Sequence, residues 1–259
     1  GHGMASNLLQ AGWPLTVWNR TPAKAEALIT AGAVWAESPA ALAAGCDLII
    51  LCVSDTPVVE HLLFGSQGII TTARPGTIVI DMSTISPVAT RQFAARLKER
   101  QVDMLDAPVS GGVIGARQGT LSTMVGGDAA VLARARPVLA AMATTITHIG
   151  AAGDGQAAKM VNQVVAVGNI LAMSEGLLLA RQYGLDLDAI LRAIQGGAAG
   201  SWMLSNLGER VIQQDWTAGF TINLQLKDLR LVLEMADACG APLLAMAQVT
   251  QLYRSLVQR

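Results

Sequence analysis

Charge is what this sequence has least of. Only 14% of its 259 residues are Asp, Glu, Lys or Arg, against 52% hydrophobic, and 18 basic side chains nearly balance 19 acidic ones. Disorder needs the reverse, low hydrophobicity with high charge, so the chain reads as globular, with extensive buried surface that includes subunit contacts. No basic block occurs, so nucleic acid finds no electrostatic footprint and is not expected as a partner. Cysteine is scarce as well. Cys46, Cys52 and Cys239 fit no metal-ligand spacing and read as reduced core thiols of a cytoplasmic protein. His2, His61 and His148 stand singly, so no metal is implied. The start of the chain lacks a charged region followed by a long apolar run, and no signal peptide is read there. The most apolar helical stretch, residues 164–180, is interrupted by Asn169, Ser174 and Glu175, so it reads as a buried helix and no membrane partner is expected.

What is present is an alternation. Short apolar runs at 15–18, 47–53 and 77–81 read as strands, and further strands are expected at 103–106, 122–125 and 145–149. The run DLIILCV is apolar throughout, as a strand must be when both faces of a parallel sheet are covered. Helices are expected at 23–31, behind the Thr21-Pro22 start signal, and at 87–100. Strands alternating with helices imply an α/β fold with a mostly parallel, doubly wound sheet. Beyond Gly150, Gly153 and Gly155 no strand signal follows. Residues 156–183 read as one long helix, with further helices at 186–194, 204–213, 224–239 and 242–257. The expected organisation is therefore a domain over 1–150 and an all-helical domain over 151–259 that opens with the long helix.

Four stretches carry chemistry. The first is MASNLLQAG (4–12) followed by LTVWNRT (15–21), a helix and the second strand of a dinucleotide-binding βαβ unit. The end of that strand, which reads the adenosine ribose, holds Asn19-Arg20-Thr21 with no acidic residue. A guanidinium at Arg20 suits a 2′-phosphate, which favours NADP over NAD. The second is DAPVSGG (106–112). A strand running into Ser110-Gly111-Gly112 exposes backbone N–H groups at the sheet's carboxyl edge, and with the Ser110 hydroxyl these donors suit a carboxylate. The third is GDGQAAKMVNQ (153–163), where Lys159 lies just inside the long helix. Helical spacing puts Asn162 and Gln163 on its side. The helix N-terminus and small or apolar neighbours both disfavour an ammonium there, as a proton-transfer group requires. The fourth is GFTINLQLKDLRLVLE (219–234), in which Lys227 and Asp228 break an apolar pattern, as a mutual ion pair or a solvated one.

Over essentially its whole length the chain resembles the β-hydroxyacid dehydrogenase family, which includes 3-hydroxyisobutyrate dehydrogenase and tartronate semialdehyde reductase. The resemblance implies a Rossmann-type first domain. It makes Gly1 the third glycine of the nucleotide fingerprint, three residues before Met4, and places the first strand and the first two glycines ahead of the sequence given. It assigns Gly1, Met4, Asn19, Arg20, Thr21, Cys52, Val53, Ser54 and Thr84 to the cofactor side, Thr84 near the nicotinamide. The simpler role for Ser83 and Thr84 is capping the helix that begins at Pro87. The resemblance further implies that Lys159 is the acid/base residue, that Ser110, Gly111 and Gly112 bind substrate, and that Asn162 or Gln163 assists. Lys227 and Phe220 are placed near nicotinamide and substrate alike. The expected activity is hydride transfer between NADP, or NAD, and a small 3-hydroxy acid or its semialdehyde, by a homodimer or homotetramer. The rivals are an imine reductase-like NADPH enzyme, which usually lacks the lysine and the DAPVSGG loop, and a non-catalytic binding module that keeps the fold.

Overall fold

The computed structural model describes residues 1–257. They form two compact units that divide between Lys159 and Met160. The strand signals stop near residue 150, but the packing division falls later, inside the long helix, because that helix's first turn is fastened to the sheet.

In the first unit, α1 (His2–Gln10) leads into β1 (Thr16–Val17), a 3₁₀ turn at Pro22–Ala25 and α2 (Glu26–Thr30). The single helix expected at 23–31 is thus split. β1 pairs in parallel with β2 (Val34–Trp35), a strand too short to leave a sequence signal, and the two form a sheet of their own. After α3 (Pro39–Gly45), the main sheet is built from β3 (Leu48–Leu51), β4 (Ile78–Asp81) and β5 (Asp103–Asp106), joined in parallel register. The crossovers carry α4 (Thr56–Phe64) and α5 (Pro87–Lys98).

The remaining strands depart from an all-parallel sheet. β6 (Val109–Ser110) and β7 (Leu121–Gly126) are antiparallel, and Gly126 also pairs with Asp106 at the end of β5. These pairs share one register, so 106–110 runs as a single leg along β7, Met124 N–H donating to Pro108 O at 3.1 Å. The link between them, residues 111–120, is shorter than the dozen or more residues that a parallel crossover needs. It holds instead the short helix α6 (Gly112–Gln118). After α7 (Ala129–Ala140), β8 (Ala143–Gly150) returns parallel to β7 with two register shifts.

Alternation along the central strands shows why the sheet is covered twice. Ile78 and Ile80 of β4 and Leu105 of β5 pack with Met4 and Leu8 of α1 and Leu132, Ala135 and Leu139 of α7. Val79 and Met104 face the other way, onto Val59, Leu62 and Leu63 of α4 and Phe93 and Leu97 of α5. Side chains on a strand alternate faces, so continuous apolar runs serve two cores at once.

The second unit is helical. It comprises the length of α8 (Asp154–Tyr183) beyond Lys159, then α9 (Leu187–Ile194), α10 (Trp202–Ile212), α11 (Ile222–Cys239) and α12 (Leu244–Val257). One cluster joins Met160 and Val167 to Leu229 and Val232 of α11 and Met246 and Val249 of α12. A second joins Met173 and Leu177 to Leu191 of α9 and Leu204 of α10. Asp186, Ser201 and Thr221 cap the starts of α9, α10 and α11 with side-chain oxygens.

Two expectations are corrected. The 164–180 stretch is not a fully buried helix: α8 carries exposed Val161, Val165, Leu178, Leu179 and Tyr183, and by length and composition alone it meets the standard of a membrane-crossing helix. Its apolar surface exceeds what one chain covers. The cysteines are free, as expected, but Cys52 and Cys239 are exposed, and only Cys46 is partly buried. Cys52 lies just past the end of β3 and so outside the covered part of the sheet. Burial pushes the Cys46 thiol above its usual range.

Candidate active site

The first unit gathers its chemistry at the carboxyl ends of β3, β4 and β5, the edge where open α/β sheets bind ligands. The turns beyond these strands are tied together by side chains. Ser83 N–H donates to Asp81 Oδ1 at 3.0 Å, and Val53 N–H donates to Ser83 Oγ at 2.9 Å, which joins the turn after β3 to the turn after β4. The cap of α5 is Ser86, whose Oγ accepts from Ala89 N–H, so neither Ser83 nor Thr84 is spent on capping that helix. Thr84 is half-buried between buried Ser83 and Ile85.

The first turn of α8 is fastened to this edge. The Asp106 carboxylate accepts from the backbone N–H groups of Gly153 and Gln156, both at 2.8 Å, and thereby satisfies two of the donors that a helix start leaves open. Burial pushes the Asp106 carboxyl above its usual range, against the pull of those N–H bonds. Gly155 has no room for a side chain: a Cβ would meet Met124 O at 2.5 Å. Lys159 follows one turn after Gln156, on the same side of the helix, and is only 8% exposed. A lysine that buried is uncommon.

The glycine turn of the DAPVSGG motif has the backbone its chemistry needs. Gly111 has φ 124° and Gly112 φ 62°, both in the region that favours glycine, and they open α6 beside half-buried Ser110. On the nucleotide side, Gly1 caps α1 with no side chain of its own, and a Cβ there would come 3.8 Å from the Cβ of Cys52. Arg20 and Thr21 are exposed past the end of β1, and Asn19 donates its Nδ2 to Thr21 O at 2.7 Å. Cys52 and Ser54 are exposed, while Val53 has its N–H engaged by Ser83. The Met4 side chain is the exception. It is buried in the core among Leu8 and Ile80, so it packs the helix onto the sheet.

A family model described as the NAD binding domain of 6-phosphogluconate dehydrogenase matches residues 1–150. A second, described as NAD-binding of NADP-dependent 3-hydroxyisobutyrate dehydrogenase, matches residues 153–259. The 2-hydroxy-3-oxopropionate reductase of Escherichia coli is 43% identical over 98% of this chain and 87% of its own. The crystal structure of 3-hydroxyisobutyrate dehydrogenase from Salmonella typhimurium superposes with a TM-score of 0.90 at 32% identity, covering 100% of this chain and 90% of that one. The chain belongs to the β-hydroxyacid dehydrogenase family. It is an NAD(P)-dependent oxidoreductase acting on CH–OH groups, with the Rossmann-like sheet and helical C-terminal domain of that family. The NAD-dependent L-serine dehydrogenase of Pseudomonas aeruginosa is 35% identical over 100% of this chain and 89% of its own. An imine reductase from Myxococcus stipitatus, in complex with NADP+, shares the fold at a TM-score of 0.70 but only 20% identity, over 99% of this chain and 90% of that one.

The turns of the first unit fit a dinucleotide. The start of α1 at Gly1 has no side-chain cap, so its backbone N–H groups are donors of the kind a phosphate needs, and Arg20 is exposed past the end of β1.

In the second unit, Asn162, Gln163 and Lys227 are linked through Asp228 in one largely buried chain of polar contacts. Asn162 Nδ2 donates to Gln163 Oε1 at 2.9 Å, Gln163 Nε2 donates to Asp228 Oδ2 at 2.5 Å, and Lys227 Nζ lies 2.7 Å from Asp228 Oδ1. Asp228 is only 1% exposed. Of the two readings of Lys227 and Asp228, the mutual pair is the one found, and it is largely buried. Phe220 is exposed, on the wall of a hollow of about 480 Å³ that also includes Trp216, Ile222 and Asn223.

Sequence reasoning missed Asp106 and Gln156 as the anchors of α8, and Asp228 as the centre of the polar chain. Asp106 heads the DAPVSGG motif, and Gln156 stands three residues before Lys159, so both were visible as residues. Nothing in their spacing says that a carboxylate and an amide will meet backbone groups far along the chain.

Proposed function

We propose that this protein reversibly transfers a hydride between NADP and the C3 carbon of a small 3-hydroxy acid, or of the matching semialdehyde, with Lys159 as general acid/base. 3-Hydroxyisobutyrate and tartronate semialdehyde are the first compounds to test. When bound, the nicotinamide supplies or accepts the hydride. In oxidation, Lys159 takes the hydroxyl proton as the C–H bond yields its hydride and the carbonyl forms. In reduction, it returns that proton to the oxygen. The Ser110 hydroxyl and the N–H groups of Gly111 and Gly112 hold the substrate carboxylate. Gln163 or Asn162, together with Lys227, adds polar contacts to substrate, the lysine kept in place by Asp228. Arg20, with Asn19 and Thr21, grips the 2′-phosphate, and this carries the preference for NADP. Thr84 serves the nicotinamide end, and Phe220 shields it from water.

The observation that carries the reading is a lysine 8% exposed, one turn beyond a helix start fastened to the ligand-binding edge of the sheet. The relatives add the substrate class, since the 43% identical enzyme is named for 2-hydroxy-3-oxopropionate. We further propose that a second copy covers the exposed face of α8, giving a homodimer or a homotetramer.

The test is nicotinamide absorbance with NADPH and NADH against a panel of C3 and C4 hydroxy acids and semialdehydes. Lys159→Ala is expected to lower kcat by about 10²–10⁴ while cofactor fluorescence titrations stay within a few-fold of wild type. Turnover like that of wild type in this variant refutes the role of Lys159.

A further inference from the structure

Gln156 is fully buried, and its side chain does something unusual for a helical residue. Its Oε1 accepts from Ile85 N–H at 3.1 Å, and its Nε2 donates to Ser83 O at 2.8 Å. These are the carbonyl before Thr84 and the N–H after it. In a parallel ladder, a neighbouring strand residue takes this same pair of groups from the residue it bridges. The need arises because β4 loses its neighbours here. Met82 N–H still donates to Leu51 O and Ala107 N–H to Asp81 O, both at 2.8 Å. Beyond that point β5 has turned away into the leg that carries Ser110.

We propose that Gln156 is a positioning residue whose amide acts as one extra rung of the sheet, holding Thr84 in register with Lys159. This deepens the function proposed above and rests on it for the role of Lys159. The Gln amide offers a donor and an acceptor on a single planar group of this reach, whatever the pH. The backbone of Gln156 is itself fixed, because its N–H donates to Asp106 Oδ2 at 2.8 Å. Lys159 lies one helical turn away on the same side. One residue thus joins the turn after β4, the end of β5 and the proton-transfer lysine. Were the rung removed, Ser83 O and Ile85 N–H would lose their partner in a buried site, and the turn bearing Thr84 would move.

The test uses Gln156→Met, which keeps size and apolar fit and removes both bonds. Thr90→Ala serves as a control: Thr90 is buried in α5, its hydroxyl donates to Ser86 O at 2.9 Å, and it lies outside the site. Amide hydrogen exchange over residues 83–86, kcat, and the isotope effect with 4-deuterated cofactor are measured well below the melting point. Expected for Gln156→Met are exchange at least tenfold faster over that segment, a kcat at least tenfold lower and a larger isotope effect. Thr90→Ala loses thermal stability without any of the three. Unchanged exchange at 83–86 overturns the rung. Faster exchange with kcat intact overturns the positioning role. If wild-type protein turns over no substrate of the panel, the function proposal fails, and exchange alone then decides whether Gln156 holds the turn.

Discussion

Gly155→Ala probes how the lysine is placed without touching the lysine. A Cβ at this position would lie 2.5 Å from Met124 O, 2.7 Å from Asp106 O and 2.7 Å from Gly126 N. All three are backbone atoms of the leg–β7 ladder, so no side chain can swing aside. Non-bonded carbon contacts settle near 3.5–4.0 Å, so the first turn of α8 has to retreat by roughly 1 Å. Overpacking of this kind costs about 1–3 kcal/mol. The retreat also stretches the two bonds to the Asp106 carboxylate, worth about 1.5–3 kcal/mol each when fully made. Alanine's better helix propensity returns about 1 kcal/mol. The net expectation is a loss of about 3 kcal/mol, and a fall in Tm of about 6–12 °C for a chain of this size. A 1 Å misplacement of a reacting group can cost about a hundredfold, and kcat is expected to fall by that order in the surviving folded enzyme. Circular dichroism melts and steady-state rates read the two effects. The contrast is Gly45→Ala at the end of α3, where a Cβ meets open space; it is expected to gain up to about 1 kcal/mol. A Gly155→Ala protein that melts and turns over like wild type refutes the view that backbone contact with the sheet sets the position of Lys159.

Burial raises the Asp106 carboxyl, so the folded state binds that proton more tightly than the unfolded chain does. Its contribution to stability therefore declines as pH rises from the ordinary carboxylate pKa of about 4 through the raised value. Urea midpoints across that window should fall more steeply for wild type than for Asp106→Asn, and equal slopes would count against it. Arg20→Ala should raise KM for NADPH tenfold or more and leave NADH within about twofold; a parallel rise for both cofactors removes Arg20 from 2′-phosphate recognition. Leu179 is 70% exposed and Tyr183 81% exposed on α8. Leu179→Glu should lower the mass found by light scattering in solution while the far-ultraviolet spectrum is kept, whereas an unchanged mass places any subunit contact elsewhere.

Local pattern was enough for the elements that serve two cores or one strong stripe. The strands at 47–53 and 77–81 were legible to within a few residues because apolar residues on both faces leave a nearly uninterrupted run, and the one at 103–106, where Met104 and Leu105 stand between two Asp, was legible to the residue. The long helix was legible because polar residues interrupt it only at helical spacing. β2 and β6, with two residues each, carry no periodicity, and the glycine turn hid α6 because glycine is a weak helix former. The antiparallel return of β7 is a matter of connection length and pairing partners, and strand signals are blind to direction.

By itself the sequence determined the two-part organisation, the doubly covered sheet, the glycine turn at Gly111 and Gly112, and the lysine at the head of the long helix. Each is written in residue type and spacing over a dozen positions or fewer. Tertiary structure decided what those residues touch. The Asp106 carboxylate meets backbone donors nearly fifty positions away, the Gln156 amide completes a ladder more than seventy positions away, and Asp228 gathers Gln163 and Lys227 into one buried relay. Hydrogen bonds over such separations depend on where the chain folds back. A buried polar group keeps its place only if that return supplies its partner.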